Sequence, residues 1–425
     1  MTRFDSAIDA VVKLIETLGS LSPGTSPLLR PAKEAKLSAE FVPGKLLQDK
    51  IDAAGKYFRL RTGLEGLRLA VVALPKSAKP VYAGFHDQEE VWIFSVAKLL
   101  VMYAAFQLRQ DLAELGVRSQ ATTQDDLIAE ARDQWAKAPE QRVKSFPKDG
   151  PPDLKRIFTM VHGGDGWKVN FTRSNKTIKD LAGLHHQLEP DPPLKPLDVP
   201  TGLALLDQLG FLDRMKLAIG WSDNIAAATC VRDVGYPYMA ALALQSGLYE
   251  YDEQTRNGPG GLWLGGDYAK GAVAGPWKVS LVGEFPSAGT AKALATFMTL
   301  LARDRLVDPK ASADMRDLMD NLKIRAELLK GVPAGQSVTV PRSFFFEGLH
   351  HQVNLKAMHQ KIGVVNVEHE AALIEVDGGD EPLPRRYVLV ALGAVHKQDG
   401  ESLLAEVAAY LDRSLQSWLT TAPQP

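Results

Sequence analysis

The feature that most constrains the fold is a largely apolar run of eighteen residues, VWIFSVAKLLVMYAAFQL, at Val91–Leu108. Its only charged residue is Lys98, near the middle. The run barely reaches the length needed to cross a bilayer, and a lysine at that depth costs about 2.5–3.5 kcal/mol. We therefore predict a helix buried inside a folded protein, which requires other parts of the chain to enclose it.

Composition argues against two classes of partner. The 425 residues carry 49 Lys and Arg against 51 Asp and Glu, a formal net charge of −2. Such a balance provides no overall field that attracts nucleic acid or an anionic membrane, and the sequence has no basic stretch interleaved with aromatic residues. We therefore predict neither a nucleic-acid partner nor a membrane partner. The sequence carries no signal for a particular oligomeric state.

The N-terminal segment and the cysteine content bear on compartment and cofactors. Five charges interrupt the first twenty-one residues: Arg3, Asp5, Asp9, Lys13 and Glu16. The segment therefore fits an amphipathic helix better than a signal peptide, which predicts a cytoplasmic protein, or a periplasmic one if a native export signal has been removed. Cys230 is the only cysteine, which excludes an intrachain disulfide and a thiolate metal cage. We expect no metal site and no cofactor.

Local patterns divide the chain into an N-terminal helical extension at 1–45 and a larger unit at 46–425. Apolar runs bounded by turn residues predict strands within 66–86 and again within 361–394. An amphipathic pattern predicts a closing helix at Glu401–Trp418.

The stretch between these two groups of strands, 92–345, has mainly helical patterns, with a charged and proline-rich insertion at about 114–200. Strands so distant in sequence can complete one sheet only if this middle stretch packs as its own lobe. We therefore predict an α+β fold, with an antiparallel β-sheet flanked by helices and an additional all-helical lobe.

Ser95 and Lys98 are the first candidates for chemistry. On a helix, positions i and i+3 lie on one face, so the lysine amine can reach the serine hydroxyl. Burial disfavours the charged form of lysine, and a neutral amine can then act as the base that a serine nucleophile requires. The motif is short, and a helix cap followed by a lysine extending to solvent explains it equally well.

Two further motifs follow along the chain. The first is Ser222–Asn224, directly before an apolar helical pattern, and its residue types are also those preferred for capping a helix. The second is Lys361–Gly363, at the start of a strand-rich region, where a solvated strand end is the simpler interpretation. Each motif alone is therefore weak.

In combination the three motifs are much more specific. Ser-x-x-Lys on a buried helix, Ser-Asp-Asn on a helix and Lys-x-Gly on a strand, in this order, resemble the serine β-lactamases of class A and the penicillin-binding proteins. The resemblance covers roughly Leu46 to Trp418, apart from the insertion and an enlarged region between the second and third motifs. It implies a serine hydrolase with an acyl-enzyme intermediate and a small-molecule or peptide substrate.

The resemblance also implies roles for individual residues. Ser95 would be the nucleophile and Lys98 its base, with Ser222 and Lys361 as further catalytic groups. The backbone N–H groups of Ser95 and Val364 would form the oxyanion hole. Substrate-binding roles would fall to three residues: Asn224, Gly363 and Arg386. As an alternative, Arg386 is an exposed charge at a strand end.

Two departures from the family pattern bear on the substrate. The middle residue of the third motif is Ile362, which lacks the hydroxyl that binds the carboxylate of a β-lactam. Glu253 and Asn257 have the spacing of the family's deacylation pair, but the residue before the asparagine is Arg256 and not a hydrophobic one. Glu253 is thus either the deacylation base or an exposed loop acid. A non-catalytic binding protein and a genuine class A β-lactamase therefore stay open as alternatives to a hydrolase of other amides or esters.

Overall fold

The computed structural model describes residues 37–62, 66–76, 78–118, 121, 124–137, 152–158, 209–220, 222–252, 257–264, 287–320, 355–364, 367–376, 385–395 and 403–421. Four parts of the sequence-based predictions lie outside these ranges. They are the N-terminal extension up to residue 36, most of the insertion at 114–200, the lobe segments 265–286 and 321–345, and Glu253.

Ten strands occur in the described ranges: β1 Val42–Pro43, β2 Arg68–Ala73, β3 Val81–Phe85, β4 Tyr249–Asp252, β5 Asn257–Gly261, β6 Trp263–Leu264, β7 Ser287–Ala288, β8 Leu355–Val364, β9 Val367–Val376 and β10 Arg385–Val395. Six of them form one sheet in the order β1-β3-β2-β10-β9-β8. β1 pairs in parallel with β3, and the other neighbours in this sheet are antiparallel. The strands predicted within 66–86 and 361–394 therefore share one sheet, as expected.

The described helices are α1 Lys45–Thr62, α2 Lys98–Arg118, α3 Gln124–Lys137, α4 Leu154–Phe158, α5 Phe211–Gly220, α6 Asn224–Val234, α7 Tyr236–Gln245, α8 Ala291–Ala302, α9 Pro309–Leu318 and α10 Leu403–Thr421. One turn of 3₁₀ helix, Phe94–Ala97, leads into α2. α6 begins where the pattern predicted it, whereas α7 and α9 were not predicted as separate helices. None of the described helices is long and apolar enough to cross a membrane.

Both faces of the sheet are buried. Successive side chains of a strand point to opposite sides, so one strand contributes to two different cores. Val388 and Val390 of β10 pack in the core that contains α2 and α8. Tyr387 and Leu389 pack instead against α1 and α10. Central strands covered by helices on both sides lose the polar alternation of a half-exposed sheet. The molecule is thus α+β, with a helical lobe on one face of the sheet.

The apolar run predicted to form a buried helix does so from Lys98 onward, whereas Val91 bridges to Gly289 and Phe94–Ala97 form the 3₁₀ turn. Leu99 through Ala105 of α2 are each 0–1% exposed. The side chains on all sides of this helix are covered by the sheet and by helices of the lobe. This burial leaves Lys98, at the first position of α2, with no access to water.

Candidate active site

Ser95 lies in the 3₁₀ turn that precedes α2, and it is half-buried. Lys98 follows three residues later, as the first residue of α2. The residue before the serine, Phe94, has φ = +47°, a left-handed conformation that is uncommon for a bulky side chain. Backbone strain of this kind persists only where the surrounding structure imposes it, and it clusters at functional sites.

Lys98 is 0% exposed, and its Nζ atom lies among oxygen atoms of Ser222–Asn224. It donates to the Ser222 carbonyl at 2.6 Å and to Asn224 Oδ1 at 2.8 Å. Ser222 Oγ and the Asp223 carbonyl each lie at 3.3 Å. The first and second motifs, about 124 residues apart in sequence, therefore meet at this amine. The interpretation of Lys98 as a lysine extending to solvent is wrong.

The protonation state of Lys98 follows from its burial. Removal from water lowers the pKa of its amine to about 7, while the negative charge of Asp223 raises it in part. The ammonium has three N–H donors for the surrounding oxygen atoms. The neutral amine keeps a lone pair, which a general base needs, and a pKa near 7 populates both forms at neutral pH.

The Ser222–Asn224 segment is a helix cap as well as part of this cluster. The Asp223 carboxylate accepts a hydrogen bond from the Ala226 N–H at 2.6 Å and so caps α6. Ser222 has φ = +59°, the second left-handed residue at the site. Its carbonyl and its hydroxyl both reach Lys98 in this conformation. Helix capping thus explains the side chain of Asp223, whereas Ser222 and Asn224 accept hydrogen bonds from the Lys98 amine.

Lys361 brings the third motif to the same place. Its Nζ donates to Ser222 Oγ at 2.9 Å and to the Ile219 carbonyl at 2.9 Å. Burial lowers the pKa of Lys361 well below its usual value, and the charge of Lys98 lowers it further. Lys361 is 2% exposed and lies in the second half of β8, so the interpretation as a solvated strand end is wrong.

β8 is the edge strand of the sheet, which leaves half of its backbone groups facing away from β9. The N–H of Gln360 points outward, because it donates to the Met319 carbonyl at 3.0 Å. N–H directions alternate along an antiparallel strand, and the register with β9 is regular from Gln360 to Val364. The N–H of Val364 therefore also points to the outer edge of the sheet, whereas that of Gly363 points toward β9.

The structure does not bring Arg386 to this cluster. Lys361 pairs with Ala371 of β9, whereas Arg386 pairs with Glu375, four residues away or about 13 Å along the strand. The Arg386 guanidinium donates to Glu375 Oε1 at 2.8 Å and to the Ala302 carbonyl at 2.7 Å. We correct the substrate-binding prediction accordingly, because Arg386 joins the sheet to the end of α8.

His369 was not singled out from the sequence, although it lies against the segment that precedes Ser95. It pairs with Gly363 across β8 and β9, and its ring centroid is 5.4 Å from that of Phe94. The six-residue spacing between Gly363 and His369 fits two strands joined by a tight connection, which is the signal that could have identified the pair.

Comparisons with known proteins identify a family for this chain. A family model described as the beta-lactamase enzyme family matches residues 196–411, just over half of the chain. The match contains Ser222–Asn224 and Lys361–Gly363 and begins after Ser95. A search of curated proteins gives no match.

Three solved structures illustrate the similarity. A β-lactamase from Streptosporangium roseum is 12% identical, with 86% of this chain and 98% of that chain covered and a TM-score of 0.43. PBP-A is 12% identical, with coverage of 90% and 100% and a TM-score of 0.44. A class A β-lactamase from Mycobacterium abscessus is 13% identical, with coverage of 87% and 99% and a TM-score of 0.41. On the match to the family model, the chain belongs to the beta-lactamase enzyme family.

Proposed function

We propose that this protein is a serine hydrolase that works through an acyl-enzyme on Ser95 and cleaves an amide, peptide or ester. The observation that carries the proposal is the meeting of two buried lysines at one hydroxyl, because Lys98 and Lys361 lie 3.3 and 2.9 Å from Ser222 Oγ. Three motifs separated by more than 100 residues would not converge in this way to fulfil only local capping roles.

In the acylation step, neutral Lys98 takes the proton of Ser95 Oγ while that oxygen bonds to the substrate carbonyl carbon. The carbonyl π electrons move to the carbonyl oxygen, where the N–H groups of Ser95 and Val364 stabilise the developing charge. Stabilisation of the developing charge by such preorganised backbone donors is usually the largest single contribution to the catalysis of acyl transfer. The N–H groups at a helix start lack intrahelical acceptors, which suits Ser95 to this role.

Collapse of the tetrahedral intermediate breaks the bond to the leaving nitrogen or oxygen, which must receive a proton. Ser222 Oγ lies within hydrogen-bond reach of both lysine amines, so it can pass a proton from Lys98 to the leaving group. The charge of Lys98 lowers the pKa of Lys361, because like charges at close range disfavour each other, so the two amines are not readily protonated together. Water then cleaves the ester of Ser95, and Glu253 is a candidate base for that step.

The substrate is best assigned as an amide or ester outside the penicillins. Asn224 is exposed, and its Oδ1 already accepts a hydrogen bond from Lys98, which leaves its amide nitrogen as a donor toward a substrate carbonyl. Ile362 offers no hydroxyl to a carboxylate. We therefore expect slow or negligible penicillin turnover.

Intact-mass measurement tests the proposal and separates it from its alternatives. The protein is incubated with a fluorophosphonate, whose P–F bond breaks as Ser95 Oγ bonds to phosphorus, and separately with a fluorescent penicillin. We expect one fluorophosphonate adduct, lost in Ser95→Ala and kept in the control Ser38→Ala, which changes an exposed serine. A penicillin adduct that forms and is quickly released would indicate a β-lactamase. Absence of any adduct would contradict the proposal and favour a binding protein.

A further inference from the structure

The starting point is the strain at Phe94, the residue immediately before the nucleophile. A left-handed φ of +47° at a phenylalanine costs about 1–3 kcal/mol, and neighbouring contacts must impose it. The conformation matters for chemistry, because the direction of the peptide between Phe94 and Ser95 fixes where the Ser95 N–H points.

Two rings hold Phe94. Trp92 stacks on it with centroids 4.3 Å apart and an interplanar angle of 27°. The ring of His369 also contacts Phe94, with centroids 5.4 Å apart and an interplanar angle of 47°. Trp92 is 39% exposed, whereas His369 is 2% exposed, so the rings connect the protein surface to the sheet through Phe94. Aromatic contacts of this geometry stabilise by about 0.5–1.5 kcal/mol each beyond area burial, which is of the order needed to offset the strain.

His369 is itself fixed. Its Nδ1 accepts a hydrogen bond from the Gly393 N–H at 3.2 Å, so the proton of the neutral ring is on Nε2. Burial, together with the smaller effect of the Arg68 charge, lowers the pKa of His369 to about 4, so the ring is neutral near pH 7. Nε2 has no hydrogen-bond partner among the described residues.

The position of His369 in the sheet links it to the second backbone donor. It is the cross-strand partner of Gly363, and directly opposite residues share one face of a sheet. Gly363 has no side chain, which leaves room on that face, and the next residue along β8 is Val364. One ring thus contacts the segment before Ser95 and pairs with the residue before Val364.

We propose that His369 is a positioning residue that sets the separation between the N–H groups of Ser95 and Val364. This inference rests on the proposed function only for its kinetic consequence, because the backbone geometry can be measured in an inactive protein as well. His369 acts through Phe94 and β8, and it takes no part in proton transfer.

The test compares wild type with His369→Ala, with His369→Phe, and with Leu373→Ala. Phenylalanine keeps a ring against Phe94, whereas Leu373 is a buried residue on the same face of β9 that serves as a control for destabilisation alone. Crystal structures give the Phe94 φ and the Ser95 N to Val364 N distance. Fluorophosphonate kinetics give the maximal inactivation rate constant and the half-saturating concentration, both per active site.

We expect His369→Ala to relax Phe94 to negative φ, to shift the two nitrogens relative to each other, and to lower the maximal rate constant about 10- to 100-fold, a fraction of what loss of an oxyanion donor costs. The half-saturating concentration should change less than about threefold, and His369→Phe should restore most of the rate. Leu373→Ala should lower stability and keep the rate.

Unchanged backbone geometry in His369→Ala would overturn the inference, and so would an unchanged maximal rate. If wild type forms no adduct, the proposed function fails, while the crystallographic comparison still decides whether His369 positions the two donors.

Discussion

Positive charge is buried in different ways on the two faces of the sheet, at Lys98 and Lys361 on one and at Arg385 on the other. On the helical-lobe side of the sheet, Lys98 and Lys361 are surrounded in the structure by carbonyl, hydroxyl and amide oxygen atoms. On the other side, Arg385 of β10 forms a two-point ion pair with Asp412 of α10, with Nε to Oδ1 at 2.9 Å and Nη2 to Oδ2 at 2.5 Å. Tyr387 adds a hydrogen bond to the same carboxylate at 2.9 Å.

The difference teaches what each region is suited for. A guanidinium held by a carboxylate keeps its charge, and the pair fastens the closing helix to the sheet. Neutral oxygen atoms compensate an ammonium less completely, so desolvation prevails and the pKa of each lysine falls. The ion pair supports the fold, and the lysine cluster supplies, at Lys98, an amine that can exchange protons near pH 7.

The largest expected effect is on chemistry at Lys98. Lys98→Met, which is similar in shape and has no charge, should lower the rate of Ser95 adduct formation about 10²- to 10⁴-fold, because the proposed general base is lost. The free energy of unfolding should change by no more than about 2 kcal/mol, because removal of a desolvated charge offsets part of the cost of leaving the Ser222 and Asn224 oxygen atoms without their donor. The measurements are adduct kinetics and urea denaturation. Lys79→Met, at an exposed lysine, is the control, and a near-normal rate in Lys98→Met would break the comparison.

The second effect is on stability at the buried Arg385–Asp412 pair. Asp412→Ala leaves the Arg385 guanidinium in an apolar environment without its carboxylate and should lower the free energy of unfolding by about 3–5 kcal/mol. Urea denaturation measures this loss, and the adduct rate per folded molecule should stay the same. A stability change below about 1 kcal/mol would mean that the pair does not fasten α10.

The third effect is the pH dependence of acylation. In the proposed mechanism only the neutral Lys98 amine accepts the serine proton, so the rate of adduct formation should rise with pH and level off above the Lys98 pKa of about 7. From a titration with that pKa, the rate at pH 6 should be about tenfold below the rate at pH 9. A rate that is flat between pH 6 and 9 would contradict a titrating Lys98.

The smallest effect concerns an acid, the half-buried Glu90. Glu90 accepts a hydrogen bond from the Gly261 N–H at 3.3 Å, and its other oxygen has no partner in the part of the chain that the structure describes. Burial raises the pKa of Glu90 to about 7 from 4.5. The folded state therefore binds the proton more tightly, and the contribution of Glu90 to stability falls as pH rises from 4.5 to 7.

Glu90→Gln keeps the hydrogen bond to Gly261 and removes the titration. We expect it to raise the free energy of unfolding by about 1 kcal/mol at pH 8, after discounting for partial exposure, and by nearly nothing at pH 4.5. Denaturation at both pH values measures the difference. Glu89→Gln should not stabilise, because exposed Glu89 pairs with Arg68 at 2.8 Å. Equal stabilisation by Glu90→Gln at both pH values would refute the raised pKa.

Much of the architecture could be predicted from the sequence, because it depends on local patterns. The apolar run at Val91–Leu108 required a buried helix, and the strand patterns at 66–86 and 361–394 required a sheet assembled from both ends of the chain. The order of Ser95, Ser222–Asn224 and Lys361–Gly363 identified the family. Periodicity and residue type are properties of neighbouring positions, so they can be read without coordinates.

Only the tertiary structure decided what surrounds each functional group. It placed the Lys98 and Lys361 amines at the Ser222 hydroxyl and the ring of His369 against Phe94. It also showed that Arg386 lies away from that hydroxyl, where it bonds to the Ala302 carbonyl. From the motifs alone, Lys98 and Lys361 could each have been a solvent-exposed lysine. Their burial in the folded protein excludes that interpretation. The physical reason is that a pKa and a catalytic distance depend on desolvation and on contacts between segments more than 100 residues apart, which no local pattern encodes.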